Sequence, residues 1–392
     1  MVFSITNGCD KNPTTTMVPP MVENPIIPVS DTLRFASYNV SMYGNSEGEI
    51  LNQLENATQQ INLRRLAAVI KEVRPDVLVL MEIDYNSNGE VLSQFNDKLL
   101  KVDLDNFEGI DYPYLYQIET NTGTISEIDI DGNGNISLPN DAYGFGNYPG
   151  QYASAILSKF PINVGAARSF QKYLWKDMPD ASLPINSDGS SYYSDEVLNV
   201  FRLSSKNHID LPLQISEEKM IHALISHPTP PVFDGTEDRN GKRNHDEIKL
   251  WSDYLSNESY LVDDQGVSGG LNSNESFIVF GDLNADPEDG DSYKNAISLL
   301  LNHDRVNQTV SNGTLIPRSN GGAEHNQSSG DSGDPSFDTS FFGLRIDYVL
   351  PSADLEAIAS GVFWPSSTEE NYELIKDKAA SDHLMVWVDL IL

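Results

Sequence analysis

The sequence predicts an α+β protein in which mixed β-sheets pack against helices. Two observations lead there. Short apolar runs of strand length recur between residues 33 and 392, and segments of helical periodicity separate only some of them. Strands and helices therefore alternate irregularly, with hairpin-like runs that a doubly wound parallel sheet would lack. No repeat of 20–50 residues is present.

Residues 33–40, LRFASYNV, read as the first strand. In residues 59–74, QQINLRRLAAVIKEVR, Leu63, Leu66, Ile70 and Val73 share one face of an amphipathic helix, which Pro75 and Asp76 stop. The continuous apolar run VLVLM (77–81) fits a strand buried on both faces. Further strands are expected at 153–158, 220–226, 277–281, 345–351 and 384–392, and helices at 244–256 and 292–302. Long polar stretches at 84–150, 180–215 and 304–340 read as inserted loops.

The 392 residues are 39% apolar, enough for a sizeable core. No apolar run approaches the roughly 18 residues of a membrane helix. Against 58 acids stand 25 lysines and arginines, a formal net charge of −33. Nucleic-acid affinity rests on Lys and Arg neutralising phosphates, so this balance disfavours a nucleic-acid partner. A phosphate-bearing ligand would need a metal ion or a local basic patch.

Residues 1–30 lack periodicity and are rich in Pro and Thr, as a flexible leader or tether would be, leaving 31–392 as one domain. Cys9 is the sole cysteine, which excludes an intrachain disulfide. A small residue before it and a polar Thr/Pro stretch after it resemble a bacterial lipoprotein site. Thr6 replaces the usual Leu there, and a basic n-region and long apolar h-region are missing. Either an ordinary leader or a lipid-anchored, secreted or cell-envelope monomer fits.

The expected strands share one feature. Polar residues sit at their ends: Asn39, Glu82, His227, the pair Asp282 and Asn284, Asp347, and Asp382 with His383. Polar groups at the ends of buried strands are costly unless they meet partners or a metal. One such residue is ordinary loop chemistry; six strands with the same feature point to one convergent site.

Asn39, Glu82, GDLN (281–284), RIDYVL (345–350) and SDH (381–383), in that order, resemble the endonuclease/exonuclease/phosphatase superfamily of DNase I and exonuclease III. QYASAILSKFPI (151–162) matches its central strand and turn. The resemblance covers about 33–392 and implies a four-layer α/β/β/α sandwich of two mixed sheets with flanking helices. It also implies a metal-dependent phosphoric ester hydrolase. Glu82 would be the main metal ligand, with Asn39 and Asp382 beside it. Asp282 would activate water, Asn284 would hold a phosphate oxygen, and Asp347 would orient His383 toward phosphate. His227 would be general acid for the leaving oxygen. Ser41 stands where some members carry a metal-binding Asp. Oxygen ligands favour Mg²⁺ or Mn²⁺, with Ca²⁺ an alternative.

Three further segments offer chemistry. Arg239, Lys242, Arg243 and His245 follow the His227 strand and are either a solvated loop or a patch for substrate phosphate, with Arg239 and Arg243 as its contacts. DIDGNGNISLPN (129–140) fits a calcium loop through Asp129, Asp131, Asn133 and Asn135, or an Asx/Gly turn cluster; Asn140 replaces the bidentate Glu. Ser268 in GVSGG lacks the strand–turn–helix setting of a nucleophile elbow and reads as loop. Three functions remain: a phosphodiesterase or phosphatase, a nuclease on the same site, or a non-catalytic calcium-stabilised binding module.

Overall fold

The computed structural model describes residues 32–325 and 332–392. The leader and Cys9 lie outside the described residues. Among the described residues eleven strands form two sheets. They are β1 (Thr32–Met42), β2 (Val77–Ile83), β3 (Tyr114–Ile118), β4 (Ala153–Ser158), β5 (Arg168–Ser169), β6 (His208–Gln214), β7 (Met220–Ser226), β8 (Phe277–Asp282), β9 (Asp347–Pro351), β10 (Glu356–Val362) and β11 (Val386–Ile391). One sheet runs β10-β11-β1-β2-β4-β3 and the other β5-β6-β7-β8-β9. Helices α1 (Glu49–Glu55), α2 (Ile61–Val73), α3 (Glu90–Phe95), α4 (Asp195–Leu198) and α5 (Arg239–Leu255) flank them.

The apolar run of β8 shows why the layers stack. Ile278 and Phe280 enter the core between the sheets, with Phe35, Ile209 and Val349. Phe277 and Val279, pointing the other way, pack in a second core with Ile248 and Trp251 of α5. A strand covered on both faces has no reason to alternate. On the opposite side Leu63, Leu66 and Ile70 of α2 join the core beneath β1 and β2. The order is thus helix, sheet, sheet, helix, the four-layer sandwich.

Strand direction then brings the polar ends together. β1 with β2 and β7 with β8 are the parallel pairs, so Asn39, Glu82, His227 and Asp282 emerge at carboxyl ends. β9 runs antiparallel to β8 with Asp347 opposite Asp282, and β11 runs antiparallel to β1. Their amino ends reach the same edge. Gly281 is required where β8 passes β7, since a Cβ there would lie 2.0 Å from the Ser226 carbonyl oxygen.

Several elements differ from the sequence expectation. β6 was hidden because its interior is polar: His208 meets Ser204 Oγ at 2.7 Å and the Glu247 carbonyl at 2.9 Å, and Asp210 bonds His222 and Tyr254. β3 and β10 are edge strands. Helix α5 begins at Arg239 rather than 244 because its first turns bury polar side chains instead of an apolar stripe. The helix expected over 292–302 is broken, as Lys294 and Asn295 adopt φ of 51° and 50°, leaving a short turn and a helical segment Ser298–Leu301.

His208 carries a stability prediction. Burial pushes it down from 6.5 to about 4. Between those values the unfolded chain binds a proton that the folded chain refuses, so stability falls as pH drops through this window. The loss approaches about 3 kcal/mol for this group. Denaturation midpoints measured at pH 7 and pH 5 should fall further in the wild type than in His208→Gln; equal falls would refute it.

Candidate active site

Asp282 lies at the centre of the edge where the strand ends meet, 1% exposed. Its Oδ2 accepts a hydrogen bond from Asn39 Nδ2 at 3.1 Å and stands 3.4 Å from His227 Nε2 and 3.7 Å from His383 Nε2. Its Oδ1 accepts the Asn284 amide at 3.1 Å. Glu82 Oε1 is 4.0 Å from His227 Nε2, and its side chain keeps 21% exposure to solvent. Asp347 Oδ2 meets His383 Nδ1 at 2.9 Å and accepts Thr339 Oγ1 at 2.8 Å. Ser41 Oγ donates to Asp382 at 2.9 Å, which ties the position that lacks a carboxylate to one that has it.

The backbone around these side chains is unusual. Ser41, Glu82, Tyr152 and Asn284 all have φ between 45° and 60°. Left-handed non-glycine residues persist only where the surroundings hold them, and they concentrate at functional sites. The left-handed turn at Asn284 follows the end of β8 at Asp282. Asn284 reaches the site through that turn, with Nδ2 donating to the Pro228 carbonyl at 3.1 Å. Leu283, between Asp282 and Asn284, is fully buried.

The electrostatics divide the two histidines. Burial would lower His383, but the carboxylates of Asp347 and Asp282 outweigh it and raise it to about 10. His227 is pushed well down by burial, then by Lys206 and His383. It is therefore neutral near pH 7, and its Nδ1 has no partner among the described residues. Burial raises both Glu82 and Asp282.

Two sets of ligand atoms lie within 4.8 Å of one another: Glu82, His227 and Asp282, and Asp282, Asp347 and His383. Buried carboxyls raised by desolvation lack positive charge. Two further buried polar atoms, Asp347 Oδ1 and His227 Nδ1, are unpartnered among the described residues. This donor set fits a hard divalent cation.

The family model described as Endonuclease/Exonuclease/phosphatase family matches residues 36–383. The chain belongs to that family. Its members' description supports a phosphoester-hydrolysing activity. Among solved structures, the chain is similar to an endonuclease/exonuclease/phosphatase from Beutenbergia cavernae DSM 12333, at 16% identity over 92% of this chain and 72% of that one, TM-score 0.51. It is also similar to a family protein from Leptotrichia buccalis C-1013-b, at 16% identity over 92% and 100% of the chains, TM-score 0.47. TDP2 from Caenorhabditis elegans is similar at 14% identity over 92% and 74%, TM-score 0.44. Comparison with curated proteins gave no match.

Sequence reasoning missed Lys206. It is nearly buried, and its charge acts on Glu82 and Asp282 as well as Glu247. A lone Lys in a polar stretch gives little signal; only the pairing of β6 with β7 brings it under the site. It also missed α5 as the support. Glu247 accepts the Ser205 and Thr229 amides, each at 2.6 Å, and Asn244 Nδ2 donates to the Thr229 and Leu283 carbonyls at 2.9 Å.

Two readings are corrected. Arg243 is not a phosphate contact: it is buried, donates to the carbonyls of Leu203, Arg202 and Tyr143, and stacks on Phe201. Arg239 is occupied by Glu237 and the Phe233 carbonyl. Asp286, beyond the β8 end, is 7% exposed and accepts the amides of Glu288, Asp289 and Arg345.

In the 129–140 loop, Asp129 accepts the Asn133 and Gly134 amides, Asp131 accepts Asn133, and Asn133 Oδ1 accepts Asn135. Asp141, just beyond the motif, is fully buried and brings a third carboxylate within 4.8 Å of Asp129 and Asp131. These bonds are those of an Asx-type turn cluster.

Proposed function

We infer that this protein hydrolyses phosphate esters, as a phosphodiesterase or phosphatase, with a water activated by Asp282 and the charge of a divalent cation. One observation carries the reading: Asp282 Oδ2 sits among Asn39, His227 and His383 in a buried site. A carboxyl raised by burial is a better proton acceptor near neutral pH than an ordinary aspartate.

Glu82 would hold the cation, Mg²⁺ or Mn²⁺, or Ca²⁺, with Asn39 and Asp382 beside it. A cation bound there neutralises a phosphate oxygen and the charge that develops in attack. Asp282 Oδ2 takes the proton of the water whose oxygen bonds to phosphorus, and the ester P–O bond breaks, the alcohol oxygen leaving with the bonding pair and taking its proton from solvent. His383, kept protonated by Asp347, donates from Nε2 to a non-bridging oxygen. Asn284 commits one N–H to Pro228 and keeps the second for phosphate. His227 is neutral, which favours a positioning donor over the general acid expected of it. Lys206 adds positive charge from beneath.

Hydrolysis of bis(p-nitrophenyl) phosphate and nicking of supercoiled plasmid, each with Mg²⁺, Mn²⁺, Ca²⁺ or EDTA, test the reading. Ester turnover should need the metal and fall about 100-fold or more in Glu82→Gln, with more metal required. Plasmid nicking as the dominant activity would replace this reading with a nuclease. If neither substrate turns over with any metal, a binding module is left.

A further inference from the structure

Beside the catalytic residues the structure holds a cavity of about 570 Å³, within the range of small-molecule sites. None of Glu82, Asp282, His227 or His383 lines it. Its lining includes Asp84, two residues beyond Glu82, and Glu119, Thr120 and Thr124 of the 119–124 segment. That segment is fastened to the stretch just before β6 that carries Lys206, since the Asn121 amide donates to the Lys206 carbonyl at 2.9 Å and Asn207 Nδ2 donates to the Glu119 carbonyl at 3.1 Å. Tyr152 is close enough to feel the charges of both Glu82 and Asp84 and stacks edge-on against Tyr43 at 4.5 Å. A group attached to a phosphate at Glu82 and Lys206 would extend into this space.

The lining sets its chemistry. Glu47, Asp84 and Glu119 oppose a single guanidinium, Arg202, so a second anionic group is disfavoured. Asp84 is not a bare charge: it accepts Tyr148 Oη at 2.7 Å and the Gly44 amide at 3.2 Å, and burial raises it to about 6. Arg202 stacks on Tyr143 and donates from Nη1 to Asn121 at 2.6 Å, leaving Nη2 and Nε without protein acceptors among the described residues. The Gln171 carboxamide and the Ser87 hydroxyl also make no hydrogen bond among the described residues. Unspent neutral donors and acceptors beside an Asp84 carboxylate already in use match a hydroxyl-bearing group.

We propose that this cavity binds the alcohol portion of the substrate, a neutral polyol or sugar-like group esterified to the phosphate. The proposal rests on the phosphoesterase reading, and the test separates the two. Glyceryl, n-propyl and 3-aminopropyl p-nitrophenyl phosphates are compared by kcat/KM with Mg²⁺ or Mn²⁺, in the wild type and in the Ser87→Ala/Gln171→Ala double variant. The wild type should prefer the glyceryl over the propyl ester about tenfold, the scale of one or two net hydrogen bonds. The double variant should lose that preference while hydrolysing the propyl ester at the wild-type rate. Equal rates for the glyceryl and propyl esters, or a preference kept in the double variant, would overturn the assignment. A preference for the aminopropyl ester would overturn it in favour of a cationic occupant. If no ester is hydrolysed, the phosphoesterase reading fails, and calorimetric binding of the glyceryl ester decides the cavity. Binding about tenfold weaker in the double variant upholds it, and equal or absent binding overturns it.

Discussion

Asp282→Asn is expected to lower kcat/KM for a phosphate ester by about a thousandfold to ten-thousandfold while leaving the metal-free fold intact. The asparagine keeps a carbonyl for the Asn284 amide but cannot take a proton from water. The same change separates catalysis from stability. Burial, together with Asp347 and Glu82, raises Asp282 above an ordinary carboxyl. A group raised in the folded state contributes stability below its unfolded pKa and loses it as pH rises through the folded one. Metal-free wild type should therefore lose stability between pH 5 and pH 8 relative to Asp282→Asn. The variant's denaturation midpoint at pH 8 in EDTA should equal or exceed the wild type's. Retained activity would remove Asp282 from the role of base, and a lower midpoint at every pH would refute the electrostatic argument.

Glu247→Ala should cost about 3–5 kcal/mol of stability, since it leaves two buried amides without acceptors. Those amides, of Ser205 and Thr229, belong to the two segments that carry Lys206 and His227. One carboxylate on α5 thus ties both to the helix. Glu247→Gln keeps one acceptor but turns an N–H toward the other amide, so it should fold with a smaller loss. Its kcat should still fall, because the two segments no longer share one support. Urea denaturation of both variants checks the ordering, with kcat measured at saturating metal. An alanine variant within about 1 kcal/mol of wild type would show that the bridge contributes little.

The strand-end residues were legible because each broke a rule in its own neighbourhood. An apolar run that ends in Glu82 or Asp282 states both its burial and its exception. The supporting residues broke no such rule. Arg243 fell in a segment that reads as a solvated loop or a phosphate patch, and Asn244 and Glu247 in an expected helix, but a helix that buries a polar face lacks the apolar periodicity that marks its inward side. Their partners are backbone groups up to 100 residues away in sequence, as with Arg243 and the Tyr143 carbonyl. The same cause hid β6, whose inward His208 and Asp210 are satisfied largely by groups brought from α5 and β7.

By itself the sequence determined the two-sided burial of β2 and β8, the amphipathic α2, the acidic surface and the set of residues at the strand ends. These follow from local pattern, where a residue's own chemistry and its near neighbours suffice. Tertiary structure alone decided which strands run parallel, and so which ends meet. It separated a protonated His383 from a neutral His227, turned Arg243 inward, placed Lys206 under Glu82 and opened a cavity beyond Asp84. Protonation, burial and cavity shape depend on distances between residues far apart in the chain, and pairing of the strands sets those distances.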